Sequence, residues 1–297
     1  MWRTGPGSVS SGVAMARVDL GGASVAYAEA GSGETVLLLH ATASAGDQWR
    51  SLAETLGPDR RILAPDLYGY GKTDPWPGFG PFCLAAELQL IDAVLPPGGE
   101  KIHLVGHSYG GAVALRFALR QPQRLLSLVL IEPVAFHLLR DGTPDPEDRR
   151  LFREARVIAD LVWKAVASGD YRTAMAGFVE YWNGPGAWQR LKPEVQTALS
   201  LRLPKVAQDF HAVMSDPTPL AAYRRMTVPT LLLRGSDSPA PARRIVELLA
   251  ERLPQARLRT IEGAGHMLPL THKDAVNAEI AAHLVGGRAG PGRPAAA

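Results

Sequence analysis

Ser108 stands between Gly106 and Gly110 in the run "LVGHSYGGA". A serine hydroxyl is a weak nucleophile until a base takes its proton and a third group orients that base. The G-x-S-x-G spacing provides a turn for such a serine when a strand precedes it and a helix follows. Here "KIHLVG" reads as the strand and "YGGAVALRFALR" as the helix. In so tight a turn, a bulky side chain two places either side of Ser108 would collide with its neighbours, and glycine avoids this. The hydroxyl is then pushed to the carboxyl edge of a sheet. The helix aims its N-terminus at the site, and its free N–H groups, starting at Tyr109, can stabilise an oxyanion. The chemistry implied is attack of the serine on a carbonyl.

Such a turn needs a sheet to stand on, and the chain supplies one. "ASVAYAEA", "TVLLLH", "RRILAPD" and "LLSLVLIE" are strand-like, and "DQWRSLAETL" and "CLAAELQLIDAVL" are helical. The alternation resumes late with "PTLLLRG", "PARRIVELLAERL", "ARLRTIE" and "DAVNAEIAAHL". Short apolar runs rich in β-branched residues, each followed by a helix, predict an α/β fold with a mostly parallel sheet covered on both faces. Between Phe136 and Ala221 the strands stop and only helical patterns occur, so a helical cap inserted into one sheet is expected. The predicted organisation is a flexible N-terminus over 1–17, a core over 18–135 and 222–285, a cap over 136–221 and a disordered tail over 286–297.

The cap span holds nine of the chain's twenty Phe, Trp and Tyr residues, and its eleven basic residues balance eleven acidic ones. That composition suits an apolar pocket for a small molecule better than a site for a polyanion, although most of the rings are expected to pack the cap's own core. The net charge of +3 is spread rather than clustered, which argues against a nucleic-acid partner. Gly71-Lys72-Thr73 has the ending of a phosphate loop, but Asp66 occupies the place of the required glycine. The single cysteine, Cys83, allows no disulfide within the chain and is expected to be a buried structural thiol. No His spacing suits a metal, and no cofactor is implied. No apolar run is long enough to span a membrane, and the N-terminus lacks the apolar stretch of a secretory signal, so a cytoplasmic enzyme is expected.

From about residue 18 to 285 the sequence resembles the α/β-hydrolase superfamily. "LLLHATAS" is similar to its strand-end H-G segment, "APDLYGYGKTDP" to the loop after the next strand, and "IEGAGHMLPLTH" to its late histidine loop. The resemblance implies that His266 is the base and that the Thr42 N–H joins that of Tyr109 in the oxyanion hole. The family's H-G pair is His40-Ala41 here, and alanine narrows the backbone conformations open to that loop. His40 is expected to fix the loop, and Trp49 to pack.

Two carboxylates compete for the acid behind His266. Many family members carry it as G-x-x-D, but here Gly235-Ser236-Asp237-Ser238 puts Asp237 one place early. In the haloalkane-dehalogenase-like branch the acid closes the strand after the nucleophile helix, where "LVLIEP" places Glu132. A carboxylate ending an apolar strand is costly to bury unless paired. Glu132 is therefore preferred and Asp237 is the alternative, which otherwise suits a turn or helix cap.

The expected function is a serine hydrolase that cleaves carboxylic esters of small, largely apolar substrates through an acyl-enzyme. Lactonase, thioesterase and carbon–carbon bond hydrolase share the fold and triad and stay open. A non-catalytic ligand receptor on the same scaffold is the reading from a different class. The sequence leaves the substrate and the oligomeric state open.

Overall fold

A computed structural model describes residues 13–141 and 144–286. Its strands are β1 (Ala14–Leu20), β2 (Ala23–Ala30), β3 (Glu34–Leu39), β4 (Arg60–Pro65), β5 (Ile102–His107), β6 (Leu125–Ile131), β7 (Thr230–Gly235) and β8 (Ala256–Ile261). They form one eight-stranded sheet in the order β1-β2-β4-β3-β5-β6-β7-β8. β1 and β2 run antiparallel to their neighbours, and β3 to β8 are mutually parallel. This is the mostly parallel, helix-flanked sheet expected from the alternation of elements.

The period of two in the strands divides the core in two. Leu37, Leu39, Leu104, Leu128 and Leu130 pack on one face of the sheet. Val36, Leu38, Val105, Val129 and Ile131 pack on the other, with Trp49 buried among them. Side chains alternate across a strand, so an apolar run with no polar breaks forces both faces to be covered. Helices α1 (Arg50–Leu56), α2 (Leu84–Val94) and α3 (Tyr109–Arg120) follow the early strands.

The insertion between β6 and β7 consists of α4 (His137–Asp141), α5 (Pro146–Ser168), α6 (Tyr171–Asn183), α7 (Pro193–Ser200) and α8 (Leu203–Met214). The sequence punctuates the join between α5 and α6. Gly169 ends α5 in the left-handed conformation, and the Asp170 carboxylate caps α6 by accepting from the Thr173 N–H at 3.3 Å. The core then closes with α9 (Ala240–Ala250), α10 (Leu268–Thr271) and α11 (Lys273–Gly286). A bidentate pair ties cap to core: Arg244 on α9 donates to both oxygens of the fully buried Asp148 on α5, at 2.7 and 3.2 Å.

Three expectations are corrected. Residues 14–17, read as part of a flexible N-terminus, belong to β1. This strand edges the sheet and is half exposed, so its apolar pattern is weak. Gly286, assigned to the tail, ends α11. Cys83 is exposed rather than buried, because it sits at the N-cap of α2, one place before the buried residues Leu84, Leu88 and Ile91 begin. The remaining residues of the expected N-terminal and C-terminal flexible segments, 1–12 and 287–297, lie outside the described residues. No helix among the described residues is long and apolar enough to cross a membrane.

Candidate active site

β5 ends at His107, and Ser108 follows with φ 55° and ψ −117°, a left-handed backbone that a side chain rarely adopts. The turn shows why its flanking residues are glycines. A Cβ on Gly106 would lie 2.4 Å from the Gly110 carbonyl oxygen, and one on Gly110 would lie 2.4 Å from that of Leu39. Backbone bonds hold the elbow from both sides: the Ser108 N–H donates to Ile131 at 2.9 Å, and the Gly110 N–H to His40 at 3.1 Å.

His266 lies in the loop after β8, with Nε2 2.9 Å from Ser108 Oγ. Glu132 directly follows β6, is fully buried, and places Oε2 2.6 Å from His266 Nδ1. Its other oxygen, Oε1, accepts from the Gly235 N–H at 2.7 Å. With Nδ1–H donating to Glu132, Nε2 is left to accept the serine proton. Gly235 also leaves room for the histidine loop, since a Cβ there would lie 2.1 Å from the Ala264 carbonyl oxygen. The structure thus brings Ser108, His266 and Glu132 into one hydrogen-bonded line. Asp237 is not part of it: its side chain is exposed, accepts from Ser236 Oγ at 2.9 Å, and lies in a turn before α9. It does not cap that helix, whose N-cap is Pro239.

The loop after β3 lies across the same floor. His40 is buried, and that burial above all lowers its pKa. The neutral ring donates from Nδ1 to the Ala41 carbonyl at 2.8 Å and accepts the Leu67 N–H on Nε2 at 2.9 Å. It ties this loop to the one after β4. Ala41 keeps an ordinary backbone, and the left-handed residue is Ala43, at φ 58°. The alanine that replaces the family's glycine therefore carries no positive-φ strain. The Thr42 and Tyr109 N–H groups have no acceptor among the described residues, and both residues line the cavity with Ser108.

That cavity has a volume of about 550 Å³ and lies between core and cap. Phe136, Phe178, Trp182 and Phe210 line it, whereas Phe152, Trp163, Tyr171, Tyr181 and Trp188 do not. Trp182 lies against the His266 ring, tilted by 34°, with centroids 4.1 Å apart. Across the rest of the wall, Asp209 on α8 is the one buried carboxylate. Among the described residues no group of three His, Cys, Asp or Glu side chains could hold a metal ion.

Sequence reasoning missed a polar chain behind the line. The Ala41 N–H donates to Gln48 Oε1 at 3.2 Å, and Gln48 Nε2 lies 3.1 Å from His107 Nδ1. His107 Nε2 is 2.9 Å from the His266 carbonyl oxygen. Burial first, then the neighbouring His266 ring, hold the His107 pKa well below its usual value, so it is neutral and donates from Nε2. His107 fills the variable position before Ser108, where residue type alone carries no signal.

A sharp strand-turn-helix elbow at the carboxyl edge of a parallel sheet, with a helical cap over it, defines the α/β-hydrolase class. The chain belongs to the alpha/beta hydrolase family, whose model matches residues 36–279. It is 26% identical to a haloalkane dehalogenase of Mesorhizobium japonicum, with 94% of each chain covered. It is also 26% identical to a pimeloyl-[acyl-carrier protein] methyl ester esterase of Aeromonas salmonicida, over 89% of this chain and all of that one. Among solved structures, a hydrolase from Pseudomonas aeruginosa superposes with a TM-score of 0.71 at 26% identity, covering 91% of this chain and 98% of that one.

Proposed function

We propose that this protein is a serine hydrolase that cleaves carboxylic esters of small, largely apolar molecules through an acyl-enzyme. The observation that carries the reading is the Ser108–His266–Glu132 line on the floor of an aromatic-walled cavity. Ser108 Oγ attacks the ester carbonyl while His266 Nε2 takes its proton. Glu132 holds the Nδ1–H tautomer and stabilises the imidazolium. The oxyanion is received by the Thr42 and Tyr109 N–H groups. His266 then returns the proton to the departing alcohol, and a water activated by the same ring cleaves the acyl-serine.

The nucleophile separates this chemistry from that of the dehalogenase relative. Displacement of a halide by Ser108 would leave an ether, which an activated water does not cleave. Acylation leaves an ester, which it does. The balance of eleven basic and eleven acidic residues over the cap supports a preference for neutral substrates.

The test is labelling with a fluorophosphonate together with turnover of a chromogenic short-chain ester. Lactones, thioesters, a carbon–carbon cleavage substrate and anionic esters of matched size serve as comparison arms. Ser108→Ala is expected to lose the label and on the order of 10⁶-fold in turnover while melting within a few degrees of the parent. Labelling at another residue, or near-normal turnover by Ser108→Ala, would overturn the assignment. A wild-type protein that takes the label without turning over any arm would favour the receptor reading.

A further inference from the structure

The two residues proposed to supply the oxyanion N–H groups share a second property. Their side chains both reach one buried charge cluster, which borders the cavity at Asp209. Thr42 Oγ1 donates to Asp209 Oδ2 at 2.8 Å. Tyr109 Oη donates to Glu87 Oε1 at 3.2 Å. Lys205, one helical turn before Asp209 on α8, bridges the two carboxylates: its Nζ lies 3.5 Å from Glu87 Oε1 and in closer contact with Asp209 Oδ1. The rings of Phe82, Tyr70 and Tyr109 surround that Nζ, with centroids at 4.3, 4.9 and 4.9 Å. Tyr70 Oη also donates to Asp209 Oδ2, at 2.6 Å.

Glu87 is fully buried, and Asp209 and Lys205 nearly so. A charge cluster of this kind is an expensive way to fill space, because well-packed apolar residues commonly do as well or better for stability. What it offers over apolar packing is direction. Every donor and acceptor in it fixes an angle, and two of those bonds end on Thr42 and Tyr109. Burial first, then the nearby carboxylates, keep the Tyr70 and Tyr109 hydroxyls protonated well above their usual range, so both are fixed donors.

We propose that Lys205 and Asp209 of the cap, with Glu87 of the core, are positioning residues that set the oxyanion hole by anchoring the side chains of its two donors. The cap is then part of the catalytic geometry as well as the wall of the substrate cavity. A seated α8 holds Thr42 and Tyr109 at the angle the tetrahedral oxyanion needs. The inference rests on the acyl-enzyme reading above. It goes further in assigning transition-state geometry to residues outside the Ser108–His266–Glu132 line.

The experiment uses Thr42→Val, which replaces a hydroxyl with a methyl, and Tyr109→Phe, which removes one; both keep the backbone N–H and every charge. The probes are a chromogenic short-chain ester and phenylboronic acid, whose adduct with a serine places an oxygen where the oxyanion forms. Thr42→Val is expected to lower kcat about tenfold, part of what removing a whole donor costs, with KM within about twofold. Boronate affinity should fall in proportion to kcat. Thr42→Ser should restore both. Tyr109→Phe should show a smaller loss of the same pattern. Asp209→Asn should reproduce the Thr42→Val loss, and the double variant should be no worse than either single one. If Asp209→Asn does not fold, the hydroxyl variants and the serine rescue decide alone. Unchanged kcat and boronate affinity in Thr42→Val, or a change confined to KM or melting temperature, would overturn the proposal. A wild-type protein that reacts with neither fluorophosphonate nor boronate would instead remove the acyl-enzyme reading, and this inference with it.

Discussion

On one flank of Ser108, His266 and Glu132 hang from the ends of β8 and β6. Their separation is set by sheet register and by the Gly235 N–H that fixes the Glu132 carboxylate. On the other flank, Thr42 and Tyr109 are held through side chains that reach a cluster supplied largely by the cap. The first flank is positioned by strand ends, whereas on the second the backbone bonds of the elbow are joined by long polar side chains from another layer. Backbone positions are difficult to move, so the His266–Glu132 pair survives local changes that leave the strands in place. A site held by side chains from another layer responds to how that layer is seated.

The contrast predicts a graded set of losses. The largest is expected on the sheet-held flank: Glu132→Gln should lower turnover of a chromogenic ester on the order of 10⁴-fold, because His266 loses its tautomer and orientation. Asp237→Asn, with its exposed carboxylate, should stay within about twofold. Kinetics on both folded variants decides, and the reverse ranking would place the acid at Asp237. Next comes Gly235→Ala. Its Cβ meets a backbone oxygen at 2.1 Å, so the His266 loop must shift. A displacement approaching 1 Å costs about 100-fold in turnover, with a melting temperature lower by several degrees. An unaltered variant would mean that the loop is not set by the end of β7.

The smallest effect belongs to the cap-held flank. Glu87 faces Lys205 and Asp209 from α8, Tyr109 from α3 and the Tyr68 N–H. Burial, the largest influence, pushes its carboxyl up to about 7 from an ordinary 4.5. An acid raised on folding favours the folded state while protonated. Its contribution is complete below about 4.5 and is lost as pH rises through about 7. Glu87→Gln has no proton to lose. Between pH 5 and 8 the wild-type melting temperature should therefore fall by a few degrees more than that of the variant. Parallel melting curves across that range would contradict the raised value.

The same contrast governs what the sequence reveals. Ser108 is legible from its G-x-S-x-G spacing between a strand and a helix, and Glu132 because a carboxylate ending an apolar strand demands a partner. His266 is legible from its loop motif. The cap cluster is hidden by its own spacing. Lys205 and Asp209 are four apart on an amphipathic helix, which reads as a solvated ion pair, and only the tertiary fold buries them. Glu87 is a weak clue, one of two carboxylates among the apolar residues of α2. β1 escaped notice because an edge strand with one solvated face needs little apolar pattern. The exposure of Cys83 is not legible, because its residue type says nothing about which side of a helix start it occupies.

Among the described residues, only Ala43, Ser108 and Glu132 adopt a positive φ without being glycine; two lie in the Ser108–His266–Glu132 line and Ala43 lines the same cavity. Each such backbone costs of order 1 to 3 kcal/mol, a sizeable part of the margin by which a domain stays folded. Thermostability engineering that searches for unfavourable backbones would select these three positions first. Two of them carry the proposed nucleophile and acid, and the third shapes the loop that faces the substrate. Gains in heat resistance are better sought at the half-exposed β1 edge, which contributes nothing to the cavity.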